Sequence, residues 1–150
     1  MRISVVVPCY NEESVILETN SQLIKVLSSF SDNYEIVYIN DGSKDNTKML
    51  LNQIKSEYSQ TVKIIHFSRN FGHQPAVSAG LKHATGDYIV IIDSDLQDPP
   101  SLIPEMIAKA EEEKANVVYA VRKSRDGESW FKKITAKYYY RTINSLSETK

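Results

Sequence analysis

Five short runs rich in β-branched and apolar residues are spaced along the chain, at 3–7, 35–39, 62–67, 88–92 and 116–121, with helical patterns between them. This alternation constrains the fold more than any other feature, because strands separated by helices are the signature of βαβ units and a mostly parallel sheet. The runs are continuously apolar rather than alternating, as expected for strands covered on both faces. The helical windows fall at 12–30, 45–58, 74–84 and 101–114. Val15, Ile16, Thr19, Leu23, Val26, Leu27 and Phe30 recur at helical spacing in the first. Ser101 is placed to cap the last, with Pro104 in its first turn and Glu111-Glu112-Glu113 as a solvated end.

The 150 residues suit one domain, and a chain of this length buries enough surface to need no disulfides. A net charge of −1 gives no global attraction for nucleic acid or anionic lipid, so no nucleic-acid partner is expected and any basic site must be local. The single cysteine, Cys9, ends an apolar run and reads as a buried structural thiol in a reducing cytoplasm. Met1-Arg2 leads directly into the first strand, leaving no secretory segment, and no apolar stretch approaches the roughly 20 residues of a membrane-spanning helix. The chain reads as the N-terminal portion of a longer protein.

Polar residues recur at one place in each unit, just past the strand's carboxyl end. They are Pro8-Cys9-Tyr10-Asn11-Glu12-Glu13, Asn40-Asp41-Gly42-Ser43-Lys44-Asp45, Ser68-Arg69-Asn70-Phe71-Gly72-His73, Asp93-Ser94-Asp95-Leu96-Gln97-Asp98 and Arg122-Lys123-Ser124-Arg125. Open α/β sheets bind ligands outside the carboxyl ends of their strands, so these loops predict one composite site. Asp93 and Asp95 press against an apolar strand, where a bare carboxylate is costly without a cation or donor nearby. On an extended segment residues two apart point the same way, so Asp93, Asp95 and the carbonyl of Gln97 can face one hard divalent cation. There is no glycine-rich dinucleotide fingerprint and no P-loop. A bound diphosphate would therefore need Mg²⁺ or Mn²⁺, held by these carboxylates, to neutralise it.

With these motifs the sequence resembles family 2 glycosyltransferases of the GT-A fold. The match rests on Val5-Val6-Val7-Pro8-Cys9-Tyr10-Asn11-Glu12-Glu13, the Asn40–Asp45 motif and Asp93-Ser94-Asp95, in that order. A narrower resemblance, to polyprenyl-phosphate glycosyltransferases and dolichyl-phosphate mannose synthases, rests on three motifs. They are Ser68-Arg69-Asn70-Phe71-Gly72-His73-Gln74, the Asp93–Pro100 motif and Val121-Arg122-Lys123-Ser124-Arg125-Asp126-Gly127-Glu128-Ser129.

The resemblance implies a three-layer GT-A fold, C-terminally incomplete, with a nucleotide-sugar-binding core over 1–128. The implied activity is transfer of a sugar from a UDP- or GDP-sugar to a polyprenyl phosphate, undecaprenyl or dolichyl, with inversion. Pro8, Tyr10, Asn11 and Glu12 would line the nucleoside pocket, with Asp41 accepting from the base. Asp93 would face the diphosphate, Asp95 and Gln97 would ligate the metal, and Arg122 and Lys137 would contact phosphate. Related enzymes carry the candidate catalytic base in a stretch that would follow Lys150, so no catalytic residue is assigned. Simpler readings make Tyr10 a cap on the sheet edge, Asp45 a helix N-cap, Arg69 a loop anchor, and His66, His73 and His83 structural.

Residues 129–150 form a basic and aromatic tail, with Trp130, Phe131, Lys132, Lys133, Lys137, Tyr138, Tyr139, Tyr140 and Arg141. As an amphipathic helix it would suit the cytoplasmic face of a membrane. The alternative packs Phe131, Ile134, Tyr138 and Leu146 against a second subunit, a homo-oligomer, or a further segment. Three other functions remain open: a family 2 enzyme extending a cell-surface polysaccharide, a donor-binding fragment without turnover, and a metal-dependent nucleotidyltransferase.

Overall fold

The computed structural model describes residues 1–121, and the elements in them alternate as the sequence predicts. In chain order they are β1 (Ile3–Cys9), α1 (Ile16–Phe30), β2 (Tyr34–Asn40), α2 (Thr47–Glu57), β3 (Val62–His66), α3 (His73–His83), β4 (Tyr88–Ile91), a 3₁₀ turn (Pro100–Leu102) and α4 (Ile103–Glu113). The strands form one sheet in the order β3-β2-β1-β4, and every pairing is parallel. All carboxyl ends therefore lie along one edge. The chain divides into a compact unit, Met1–Val118, and a second, Tyr119–Lys150, of which only 119–121 are described.

Two apolar layers sandwich the sheet. Val5, Val7, Ile36 and Tyr38 point to one face and pack with Ile16, Leu23 and Leu27 of α1, Leu51 and Ile54 of α2, and Ile103 and Ile107 of α4. Val6, Val37 and Ile39 point to the other and meet Ala76 of α3. Buried positions in α1 fall at Ile16, Thr19, Asn20, Leu23 and Leu27, the three-to-four spacing that turns one stripe inward. On the thinner face α3 lies almost against the strands at Gly80, where a Cβ would come within 2.2 Å of Val6 Cγ1.

Two expectations fail. The run 116–121 is not a strand: no described segment pairs with it, and Val117, Tyr119 and Val121 are 71–78% exposed. β-propensity alone does not make a strand without a hydrogen-bonded neighbour. Ser101 does not cap α4. It lies inside the 3₁₀ turn behind Pro99, and the residue preceding α4 is Leu102, without a side-chain cap. The acidic end of α4 is solvated as expected, with Lys109 bridging to Glu112 and Glu113.

At the amino ends of the strands one buried carboxylate gathers the chain. Glu35, 1% exposed, accepts from Ser4 Oγ at 2.6 Å and from Thr85 N and Oγ1 at 2.7 and 2.8 Å. It also pairs with Lys63 Nζ at 2.6 Å and Arg2 at 3.3 Å. Burial by itself would raise its pKa, but the Lys63 ammonium and the Ser4 and Thr85 donors outweigh it and lower the carboxyl to about 2. A carboxyl lowered in the folded state stabilises fully above its unfolded value near 4.5, and that contribution disappears as pH falls toward 2. Glu35→Gln is expected to cost about 2 kcal/mol at neutral pH and to remove part of the acid limb of stability. Urea midpoints measured between pH 2 and 7 test this; an unchanged acid limb would count against the anchor.

Candidate functional site

The loops leaving the carboxyl ends are tied to one another by side chains rather than by a second ladder. Between the first and second loops, Asn11 N donates to Ser43 Oγ and Asn11 Oδ1 accepts from Lys44 N at 2.8 Å. Glu12 N donates to Thr47 Oγ1, Glu13 N to Asp45 Oδ2, and Asn46 N to Glu13 Oε2. These ties occupy the donors of residues 12 and 13, and α1 starts at Ile16 rather than at Glu12. Asp45 Oδ1 also accepts from Thr47 N at 3.0 Å, a cap-like bond at the start of α2.

The second loop holds the third. Asp41, 4% exposed, accepts from Phe71 N at 2.7 Å and Gly72 N at 2.9 Å, one amide to each oxygen. Gly42 sits at φ +65°, and a Cβ there would lie 2.3 Å from the Arg69 carbonyl carbon, so the third loop lies directly on its backbone. Arg69 lies over the Phe71 ring at 4.5 Å, which favours its role as a loop anchor. The fourth loop is fastened to the first: Ser94 Oγ donates to Pro8 O, and Thr19 Oγ1 of α1 donates to Ser94 O at 2.7 Å.

Between these loops lies a pocket of about 320 Å³. Pro8, Cys9, Tyr10 and Glu12 form its first wall. Asp41 joins Asn70, Gly72, His73 and Ala76 on the next, and Asp93, Ser94 and Asp95 complete it. Six of the expected residues thus meet at one cavity: Pro8, Tyr10, Glu12, Asp41, Asp93 and Asp95. Asn11 stands behind it, its side chain spent on the second loop. Gln97 is not among the lining residues: β4 ends at Ile91 and the chain turns from Ser94 onward, with Leu96 at φ +59°, so the every-second-residue spacing of an extended strand does not hold here. Its N–H donates instead to Asp95 Oδ1 at 3.0 Å. Arg122 and Lys137 lie outside the described residues.

The pocket is acidic. Burial raises the Glu12 carboxyl above its ordinary value, and the negative charges of Asp95, Asp45 and Asp93 raise it further against the opposing Ser94 hydrogen bond. Among the described residues no group of three or more His, Cys, Asp and Glu side chains is arranged to hold a metal ion by itself. His73 Nδ1 stands 3.9 Å from Asp93 Oδ1, so this histidine belongs to the pocket wall, although lack of metal-ligand spacing argued for a structural role. Asn70 and Ser94 also went unassigned; their only signal was membership of the polar loops. Cys9 is buried and its thiol pKa is pushed far up by desolvation, so it is no nucleophile.

One parallel sheet between two helical layers, with an acidic pocket at its carboxyl edge, defines an open-sheet α/β protein. The chain belongs to the glycosyl transferase family 2, whose model matches residues 4–149. It is 51% identical to the uncharacterized glycosyltransferase YkcC of Bacillus subtilis (strain 168), over 99% of this chain and 45% of that protein. It is 42% identical to the prophage bactoprenol glucosyl transferase homolog of Escherichia coli (strain K12), over 100% of this chain and 48% of that protein. The chain thus spans about half the length of these curated relatives. Among solved structures it is similar to the mannosyltransferase PcManGT from Pyrobaculum calidifontis in complex with GDP-Man and Mn²⁺. The TM-score there is 0.66 and identity 27%, over 83% of this chain and 36% of that one. The fold is that of the GT-A glycosyltransferases. No described helix is long and apolar enough to cross a membrane.

Asp41→Ala should release the third loop while the strands hold. Each charge-assisted bond contributes about 1.5 kcal/mol or more, so amide protection at Phe71 and Gly72 should fall at least tenfold. Protection in β1 should persist. Hydrogen exchange read by NMR decides it, and unchanged protection at those two amides would remove Asp41 as the tie.

Proposed function

We propose that this chain is the donor-binding half of an inverting glycosyltransferase that moves a sugar from a UDP- or GDP-sugar to a polyprenyl phosphate. The observation that carries the reading is the meeting of Pro8, Tyr10, Glu12, Asp41, Asp93 and Asp95 around one pocket at the carboxyl edge of the sheet. The family membership and a relative named as a bactoprenol glucosyl transferase homolog support it. The nucleoside would lie between Tyr10 and Asp41, with the diphosphate toward Asp93 and Asp95. Asp41 already accepts two backbone amides, so a base donor would add to an acceptor that is held in place.

The donor set suits a hard divalent cation. Glu12, raised first by burial, is raised further by the negative charges of Asp95, Asp45 and Asp93, charge that a cation would relieve. Mg²⁺ typically takes one or two carboxylates and fills its remaining positions with substrate phosphate and water. Asp95, steadied by the Gln97 N–H, and Asp93 would hold it. When bound, such an ion would supply charge neutralisation for the departing nucleotide diphosphate. The acceptor phosphate oxygen would attack the anomeric carbon as the bond to the nucleotide diphosphate breaks, inverting that centre. An acceptor that is already anionic needs less help from a base than a sugar hydroxyl does. Arg122 and Lys137 would contact phosphate, and the tail 129–150 would bring the site to a membrane surface.

Asp95→Ala should abolish Mn²⁺-dependent binding of UDP and GDP, a loss of at least tenfold by calorimetry, with the circular dichroism spectrum unchanged. Equal affinity in wild type and variant would overturn the metal assignment. Arg122→Ala should weaken UDP or GDP binding while leaving uridine or guanosine binding intact; parallel loss of the nucleosides would remove its phosphate role. Incubating the complete protein with labelled nucleotide sugar and polyprenyl phosphate should give a phosphate-linked lipid product. Extension of a glycan instead would favour a saccharide acceptor.

A further inference from the structure

His66 ends β3 opposite Asn40, the residue that ends β2. The Asn40 amide Nδ2 lies 3.1 Å from His66 Nδ1, and His66 Nε2 lies 3.1 Å from Asn52 Oδ1 of α2. The other end of the same Asn40 amide, Oδ1, accepts from Ser43 N at 3.0 Å. These bonds fix one another. Ser43 N–H requires the Asn40 oxygen, so the NH₂ must face the imidazole, and Nδ1 must carry a lone pair to accept from it. Nε2 then carries the hydrogen that Asn52 accepts. Only the neutral imidazole satisfies all of them.

Protonation at Nδ1 would set N–H against NH₂. The Asn40 side chain could meet the new donor only by turning over, which would take its oxygen from Ser43. Asn40 is 1% exposed, so a misplaced amide finds little water to compensate it. The segment it braces is the second loop, which carries Asp41 into the pocket and holds Ser43 and Lys44 against Asn11.

We propose that His66 is a positioning residue, a proton-sensitive brace that keeps the second loop and Asp41 in the pocket-forming arrangement while its imidazole is neutral. The groups facing it favour that state at neutral pH. From α2 it faces Asn52 and the positive charge of Lys48; from β2 it faces the uncharged Asn40; no carboxylate pairs with it among the described residues. Desolvation and the Lys48 charge both lower its pKa from the ordinary value. The brace opens on acidification past the ordinary imidazole range, and it closes again on return to neutral pH.

The test uses the free chain, so it stands apart from the donor-binding reading that gives the brace its purpose. Amide protection factors at Ser43 and the His66 ring shifts are followed by NMR from pH 7.5 to 5. In the wild type, Ser43 protection should fall about tenfold, the loss of one hydrogen bond, with the same midpoint as the imidazole. His66→Gln, whose side-chain oxygen can accept from Asn40 without titrating, should hold Ser43 protected across the range, and His66→Ala should leave it unprotected at every pH. Ser43 protection that ignores the imidazole titration, or that falls equally in His66→Gln, overturns the brace. If His66→Ala does not fold, the wild-type titration and His66→Gln decide the question alone. Uridine and guanosine affinities over the same range should drop with acid in the wild type and not in His66→Gln. No nucleoside binding at any pH, with Ser43 still following His66, would overturn the donor reading and leave the brace standing.

Discussion

Every strand of the described sheet runs the same way, and that constraint governs the rest of the structure. A parallel sheet delivers all its chain exits to one edge, and each exit carries backbone donors that no ladder can satisfy. Asp41 answers the constraint at its tightest point by taking the amides of Phe71 and Gly72, one on each oxygen. Asn11, Asp45 and Thr47 take amides in the same way between other loops, and Ser94 donates its hydroxyl to the Pro8 carbonyl. The side chains that look like ligand groups in the sequence are therefore also the fasteners of the edge. The pocket is the space these fastenings leave between the first, second, third and fourth loops.

The opposite edge faces the complementary problem and solves it with charge. Glu35 takes donors from Ser4 on the neighbouring strand and from Thr85 before β4, and pairs with Lys63 on β3 and Arg2 ahead of β1. One carboxylate thus reaches every strand or its approach, at the end away from the pocket. A sheet pinned there and fastened at its carboxyl edge leaves little freedom for the strand ends that position Pro8, Asp41 and Asp93. This rigidity would serve the proposed metal and diphosphate site, which needs its carboxylates held close to one geometry.

The four paired strands and four helices were legible because periodicity and β-branched composition report burial, and burial is what a two-sided parallel sheet imposes. The run 116–121 carries the same composition without a partner strand among the described residues, and composition does not encode partnership. The site was legible as a set of loops, since carboxylates against an apolar strand are costly without a purpose. Its geometry was less so. Gln97 followed a spacing rule valid for extended backbone, but the strand ends at Ile91 and the chain turns from Ser94 onward, with Leu96 left-handed. Leucine gives no local signal for such a turn, which a glycine would have given. His73 and Asn70 were passed over because spacing alone does not show that α3 begins beside the fourth loop.

The electrostatics of the pocket narrow what it can receive. Glu12, Asp41, Asp93 and Asp95 line it, and His73 is the one basic side chain among its lining residues. Burial raises Glu12 first and the charges of Asp95, Asp45 and Asp93 add to it, so an anionic ligand arriving alone would meet opposition from several sides. A diphosphate enters such a site favourably only together with positive charge of its own. The carboxylates that repel the bare anion are the ones that would attract the cation, so under the proposed function donor and metal should enter as linked events. Binding of either would then strengthen the other by the same factor, as linkage requires.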